Sequence, residues 1–598
     1  MHNADNIQIR RKSWFNILIF LLSSAALCAV SLNFAIGTHG WESYIGYFKH
    51  PVIFLLNWLP VLFAQVACYA LVNRQWLSFL ITGIITLIPS IGNFFKLKFR
   101  NEPFTFLDMS SIRAGLMMAG NYNISLNTRI LVSVFCVLAG TVFLFCFARK
   151  KTNIKKRIVF LMIIGALVWP LWKFIYSNED IYEKTAYSNY VMITLDSREL
   201  FIASGFQYPF IHSITESTEI APEGYDENKA LTLLSGFSDE KIPDNKKVNI
   251  MVLQLESFCD FEAMGVDGIS SEVYSVWRTL QEQSYSGVMI PNIIGGGTIN
   301  TERCLLTGTN RMLEYRKPSY SYVQYLKNEG YYCVGSHPNV PFFYSRQAVM
   351  NYLGFDEFYF LGDHFTDIPH GDERSDDRYL PAVFQTFKTF AENSSPVFSF
   401  NITMQGHGPY NDESLDRGEV YWNDFEVSEQ TFNLLNNYLS LITETQKLLI
   451  RELNELKEAS FPAVLLIYGD HKPWLGSEVY EELGVSFDLN TEKGMLEYLS
   501  TPYIVWANEA AKELLQNSFQ GNGRTVSPGY LMNVLFDRLG CKGPAFMQFT
   551  GSVMSHIPVI SAMGCYIEND QYCRELSRDG KMLRNNYDIV QYYLYNNS

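Results

Sequence analysis

Residues 248–256 read VNIMVLQLE, a run that is apolar except for Asn249 and Gln254 and that stops on an acid, Glu256. Strands of parallel sheets are covered on both faces and so read as near-continuous apolar runs. The pattern recurs three times downstream. YYCVGSH (331–337) ends on His337, FSFNITMQGH (398–407) on His407, and AVLLIYGDH (463–471) on Asp470 and His471. Between the first two runs lies GGGTINTE (295–302), with Thr298 directly behind Gly295, Gly296 and Gly297. In open α/β sheets, reactive groups gather beyond the carboxyl ends of the strands. The pattern therefore predicts two carboxylates and three imidazoles converging on one hydroxyl, as in a metal site with a threonine nucleophile.

Around these runs the sequence alternates strand-like and helical patterns, the longest helical one being residues 428–459. Such alternation predicts an α/β domain with a mainly parallel sheet flanked by helices, here over residues 246–549. The last segment, 550–598, is rich in Tyr and Asn and reads as a small covering segment.

At 598 residues the chain is too long for one core, and its charge is divided unevenly. Residues 1–178 hold 17 Lys+Arg against 4 Asp+Glu, whereas the remainder holds 30 against 57. The first part also carries five long apolar runs, near 14–36, 52–73, 76–95, 130–148 and 158–176. Each approaches the ~20 residues a helix needs to cross hydrocarbon, which predicts an α-helical five-span membrane domain over 1–178. Arg10–Lys12 precede the first span and a second basic cluster, Arg149–Arg157, lies between the last two. Positive-inside bias puts both in the cytoplasm, with everything after about residue 178 outside the cell. Lys96, Lys98 and Arg100 run against this assignment. Residues 179–245 then read as a juxtamembrane helix and linker, with an amphipathic patch in LDSRELFIASGF (195–206).

Ten cysteines divide into four in the spans and six outside them. An exported domain permits disulfides, and Cys565 with Cys573 is the expected pair because they lie close in sequence. Cys259 and Cys304 read as buried bystanders, and His364 and His370 as structural.

The chemistry resides in five segments. Glu256, Asp470 and His471 supply carboxylate oxygens and an imidazole, a donor set suited to Mn²⁺ or Zn²⁺ rather than Ca²⁺; Thr298 adds a fourth, hydroxyl oxygen. The glycines before Thr298 permit close backbone approach. TERCLLTG after it can begin a helix, whose positive end favours an alkoxide or phosphate. Threonine is a poor nucleophile until a metal or base activates it. Arg346, in HPNVPFFYSRQ (337–347), offers a guanidinium that can grip phosphate through two parallel hydrogen bonds. His407 is a candidate proton donor or phosphate contact.

Five spans followed by LES (255–257), GGGT, HPNVPFFYSR, MQGHGPY (404–410) and YGDH (468–471) resemble the lipoteichoic acid synthase family, the phosphoglycerol-transferase branch of the alkaline phosphatase and sulfatase superfamily. The resemblance implies an extracellular, multi-pass-anchored bacterial enzyme with Mn²⁺, or Mg²⁺ or Zn²⁺, held by Glu256, Thr298, Asp470 and His471, Thr298 being the catalytic nucleophile. It further implies that His337, Tyr344, Arg346 and His407 bind the glycerophosphate, although some family members have tryptophan where Tyr344 stands. The implied reaction moves sn-glycerol 1-phosphate from phosphatidylglycerol to a glycolipid, lipoteichoic acid chain or other glycan, releasing diacylglycerol. No nucleic-acid partner is expected. The CxPxR segment from which sulfatases make formylglycine is missing from the sequence, so sulfatase activity is not implied. Transfer of phosphoethanolamine or another head group, or a catalytically inactive membrane-tethered sensor, are the alternative readings.

Overall fold

The five apolar runs form helices long and apolar enough to cross a membrane: Asn16–Ala35, Pro51–Val72, Gln75–Lys98, Thr128–Phe147 and Ile154–Tyr176. The computed structural model describes residues 2–597 other than 38–40, 101–102, 107, 110–126, 149–150, 179–180, 183, 186–196, 216–220, 311–312, 314, 342, 364–374, 394–395, 424–426 and 486. The chain divides into two units, Met1–Ile220 and Ala221–Ser598.

In the first unit, polar side chains inside the spans have specific work. Asn57, in the second span, donates to the Ser204 carbonyl at 2.7 Å and accepts from the backbone N–H groups of Phe206 and Tyr208 at 3.0 and 3.1 Å. Tyr47 donates to the Ile202 carbonyl at 2.5 Å. These bonds draw the helices Ser197–Ser204 and Gln207–His212 into the membrane unit, with Phe201 and Phe206 in its core. The segment 179–245, expected to connect two domains, is thus shared between them. Its later part, the helix Glu227–Leu234, is in the second unit. Lys96, one of the three charges running against the orientation rule, is paired with Asp108 at 2.9 Å.

The second unit is built on an eight-stranded sheet. Its strands are β1 (Asn249–Leu255), β2 (Tyr285–Met289), β3 (Tyr332–His337), β4 (Glu357–Phe360), β5 (Val397–Ile402), β6 (Ala463–Gly469), β7 (Thr501–Ala507) and β8 (Gly521–Asn522), in the order β4-β3-β5-β1-β6-β7-β2-β8. Pairing is parallel from β4 to β6, antiparallel for β6–β7 and β7–β2, and parallel again for β2–β8. Every residue of β1, β5 and β6 is buried, which is why these strands read as unbroken apolar runs. Alternate side chains feed two cores. Met251, Leu253 and Leu255 join Trp277, Tyr438 and Leu449 on one face, and Ile250 and Val252 join Leu305, Leu306 and Leu535 on the other.

The helical pattern over 428–459 is the helix Glu429–Lys457, which presents Leu435, Leu439, Ile442, Leu449 and Leu453 to the first face. The boundary expected at 549 falls inside the helix Ala545–His556, so the closing segment is continuous with the domain. Beyond it, a three-stranded sheet (β9 Val559–Ile560, β10 Tyr566–Glu568, β11 Gln571–Cys573) precedes the helix Arg578–Asn597. Tyr587 of that helix donates to the Gly308 carbonyl at 2.6 Å. Cys565 and Cys573, expected as a disulfide, are both free thiols. Tyr566 lies opposite Cys573 in the hairpin, so neighbouring Cys565 faces the other side, since strand side chains alternate. Cys565 packs in the first core and Cys573 against the second.

The loops that leave β1, β5 and β6 nest closely. A Cβ on Gly469 would lie 1.9 Å from the Phe258 carbonyl oxygen, and one on Gly406 2.1 Å from that of Glu256. Neither neighbour is a flexible side-chain end, so the backbone itself would have to move. Gly469→Ala is expected to cost about 1–3 kcal/mol, the range for overpacking, and to lower the thermal midpoint of the full chain in detergent by several degrees.

Candidate active site

Apart from Tyr344, each predicted residue lies at or just past a strand end or at a helix start. Glu256 follows β1, His337 closes β3, His407 lies beyond β5, and Asp470 and His471 follow β6. Thr298 is the first residue of the helix Thr298–Thr307. Gly295, Gly296 and Gly297 all have positive φ (74°, 146° and 68°), which explains three successive glycines. A Cβ on Gly295 would also lie 2.3 Å from Cβ of Trp474.

Four of these residues meet. The Thr298 hydroxyl donates to Oε2 of Glu256 at 3.0 Å and lies 3.4 Å from Nε2 of His471. That nitrogen is 3.6 Å from Oε1 of Glu256 and 3.4 Å from Oδ2 of Asp470. One ligand atom from each of Glu256, Asp470 and His471 lies within 4.8 Å of the others, and all three residues are buried. Nδ1 of His471 is 2.9 Å from the Lys472 carbonyl; a proton there leaves the Nε2 lone pair facing the carboxylates. Asp470 Oδ1 accepts from the backbone N–H groups of Ser257 and His471, each at 2.8 Å. Gln254, a polar residue within β1, reaches both the Thr298 carbonyl and Asp470 at 3.5 Å. Ser257, next to Glu256, is held at φ 54°, strain of the kind that gathers at functional sites.

Burial first, and then the neighbouring Glu256 carboxylate, push Asp470 up to about 7. Two buried carboxylates side by side disfavour each other's charge, and a divalent cation is the compensating partner that the donor set fits. Glu256, Asp470 and His471, with the Thr298 hydroxyl, are the residues that could hold it.

A second group lies around Arg346. Its guanidinium forms a buried ion pair with Glu302, Nη2 to Oε2 at 2.9 Å and Nε to the same oxygen at 3.2 Å, with the side chains 2% and 1% exposed. Nη1 of Arg346 is buried without a hydrogen-bond partner among the described residues. His337 is buried, with Nδ1 3.3 Å from the Ile402 carbonyl. Burial, followed by the charge of Arg346, holds its imidazole well below the usual range, and His407 acts in the same direction. His337 is therefore neutral near pH 7. His407 is half-buried, with Nδ1 against the Gly408 carbonyl. Tyr344 and Ser345 are both left-handed, at φ 56° and 54°, and Arg303 donates to the Tyr344 carbonyl at 3.2 Å. The backbone leading into Arg346 is thus fixed from the same helix that carries Thr298.

Sequence reasoning missed two residues. Glu302 lies four residues after Thr298, one helical turn on and on the same face; that spacing was available, but its partner is 44 residues away. Asn339 is buried beside His337, its backbone N–H donating to the His337 carbonyl at 2.7 Å. Its Nδ2 has no partner among the described residues. Cys259 and Cys304 are buried, and desolvation pushes each thiol up to about 12. His364 and His370 lie outside the described residues.

With a mainly parallel sheet and acidic and imidazole ligands beyond its strand ends, residues 248–541 match the family described as Sulfatase, and this part of the chain is an alkaline phosphatase/sulfatase-superfamily domain. The chain is similar to a Rhizobium meliloti (strain 1021) protein named for the modification of cyclic beta-1,2-glucan, at 26% identity over 62% of this chain and 58% of that protein. It is also similar to the capsular polysaccharide biosynthesis protein RkpI of the same organism, at 28% identity over 38% of this chain and 42% of that protein. The chain therefore spans 58% and 42% of the lengths of these relatives. Among solved structures, the phosphoglycerol transferase GacH of Streptococcus pyogenes, in complex with sn-glycerol-1-phosphate, shares the fold. Its TM-score is 0.50 at 19% identity, over 63% of this chain and 96% of that one.

Breaking a buried ion pair from one side strands the other charge and costs about 3–5 kcal/mol. Glu302→Gln should therefore lower the thermal midpoint, and glycerol phosphate should restore more stability to this variant than to the wild type. A ligand-induced shift equal in both proteins would show that the anion does not reach Arg346.

Proposed function

We propose that the chain is a membrane-anchored phosphoglycerol transferase that moves glycerol phosphate from phosphatidylglycerol to a glycan or glycolipid through a covalent phospho-threonine. The observation that carries this reading is the pairing of two sites on one helix. Thr298 faces the carboxylate–imidazole cluster, and one turn on, Glu302 orients an arginine that retains an unused buried donor. Through Glu302, an anion bound at Arg346 would be held against the helix that carries the threonine hydroxyl. The resemblance to lipoteichoic acid synthases agrees, and the relative named for glucan modification supports a glycan as acceptor.

The chain's own groups divide the work. The Thr298 hydroxyl donates toward Glu256, which orients its lone pairs and draws its proton away from the attacking side. Bound at Glu256, Asp470 and His471, a divalent ion, Mn²⁺ on the resemblance, would lower the hydroxyl pKa and neutralise charge on the phosphate. Thr298 passes its proton to Glu256 as Oγ attacks phosphorus, the bond to the diacylglycerol oxygen breaks, and that oxygen leaves with a proton for which His407 is the proposed donor. The helix N-terminus at Thr298 and the guanidinium of Arg346 stabilise charge on the equatorial oxygens. Neutral His337 can donate or accept a hydrogen bond without adding charge, and Tyr344 is the further glycerophosphate contact that the resemblance implies. An acceptor hydroxyl then attacks the same phosphorus, its proton passes to His407, and Thr298 Oγ is released, taking its proton back from Glu256. The five spans suit a reaction whose donor and leaving group are both lipids, and the charge bias of the loops places the domain outside the cell.

Incubating the full chain with labelled phosphatidylglycerol should place glycerol phosphate on Thr298, detectable by peptide mass spectrometry, and release diacylglycerol. Thr298→Ala should abolish both while leaving the chain folded, with a cooperative thermal transition. Labelling from phosphatidylethanolamine instead would reassign the head group, and full transfer by Thr298→Ala would remove the mechanism.

Arg346→Lys keeps the charge but loses the planar fork. The loss of one charged hydrogen bond, about 1.5–3 kcal/mol, should weaken glycerol phosphate binding roughly ten- to a hundredfold by calorimetry. Metal content should stay at the wild-type level, because Arg346 touches none of the proposed ligands.

A further inference from the structure

A groove of about 700 Å³ runs through one half of the membrane unit, where the first span begins, the second ends and the fifth begins. This is within the range of pockets that enclose small ligands. Its depth is apolar, with Phe20, Leu62, Val66 and Ile163 among its walls. Its mouth is polar, with Tyr69, Gln75, Thr152, Lys151 and Lys156. The mouth is built by specific bonds. Tyr69 shares a hydrogen bond with Thr152 at 2.7 Å, and the Thr152 N–H donates to the Asn73 side chain at 2.8 Å. Arg157 caps the second span by donating to the carbonyls of Ala70 and Leu71 at 2.5 and 2.7 Å. Arg157 is thereby committed to structure, whereas Lys151 and Lys156 make no ion pair among the described residues. Carboxylates to pair with them are scarce, since residues 1–178 contain only 4.

We infer that this groove binds one anionic bilayer phospholipid, with an acyl chain along Phe20, Leu62, Val66 and Ile163 and the phosphate at Lys151 and Lys156. An apolar slot with an unneutralised basic rim complements a molecule that is apolar at one end and negatively charged at the other. Basic pockets between spans on the cytoplasmic side bind anionic head groups, and the loop carrying both lysines is cytoplasmic by the positive-inside rule. The inference does not depend on the transfer reaction: its residues are separate from the candidate active site, and its occupant need not be a donor.

The test is lipid retention by the full chain in detergent, measured by native mass spectrometry with phosphatidic acid, phosphatidylcholine and soluble glycerol phosphate as separate probes. Phosphatidic acid is chosen because it lacks the head group that the proposed reaction transfers. One phosphatidic acid should bind at least tenfold more tightly than phosphatidylcholine. The double variant Lys151→Gln, Lys156→Gln should erase that preference, and Val66→Trp should exclude both lipids. Glycerol phosphate should not compete. Equal retention of the two lipids by the wild type, or a preference that survives in the lysine variant, would overturn the inference. Competition by glycerol phosphate would also overturn it, since the site would then recognise phosphate without the chain. Val66→Trp still binding lipid would place the lipid elsewhere. Each variant's thermal midpoint, read alongside, separates loss of binding from loss of folding.

Discussion

Two carboxylates buried side by side, Glu256 and Asp470, are the constraint around which the second unit is arranged. Each costs free energy to bury and each raises the cost of the other. Backbone N–H groups from Ser257 and His471 offset part of this cost at one Asp470 oxygen, and Gln254 is spent inside a central strand to reach another. To bring the groups together, the loops beyond β1, β5 and β6 approach so closely that only glycine fits at 406 and 469. The left-handed backbone at Ser257 belongs to the same compromise. A proton on one carboxylate relieves such an arrangement, and so would positive charge nearby, which the proposed cation would supply.

The sequence made the sheet and the spans legible for one shared reason. Where an element is buried on all sides or bathed in hydrocarbon, its composition is nearly uniform, and position along the chain suffices to find it. β1, β5 and β6 are of the first kind and the five spans of the second. Strand order was not legible, because β2 crosses to the far side of β7 and no local signal marks a crossover. Cys565 and Cys573 were misread because nearness in sequence says nothing of which face of a hairpin a side chain occupies. Glu302 was hidden for the opposite reason: its partner, Arg346, is brought to it only by the fold.

The segment 197–212 shows the same limit in the membrane unit. It is polar enough to read as a surface helix, yet its backbone is held by Asn57 and Tyr47. An asparagine within an apolar span usually marks a partner, because an unsatisfied amide in hydrocarbon is costly. That residue was the available clue, and it identifies a polar requirement without naming what meets it.

The ion pair between Arg346 and Glu302 has a consequence for diversification. On the proposed reading, one helix carries the attacking hydroxyl and, about one turn on, the carboxylate that orients the anion grip, and so the pair works as a gauge set to one phosphoryl group. Nothing in that gauge measures the alcohol on either side of the phosphorus. The loop carrying Asn339 can therefore be rewritten for new head groups or sugars while the helix Thr298–Thr307 and His407 stay as they are, which would let one scaffold serve more than one acceptor.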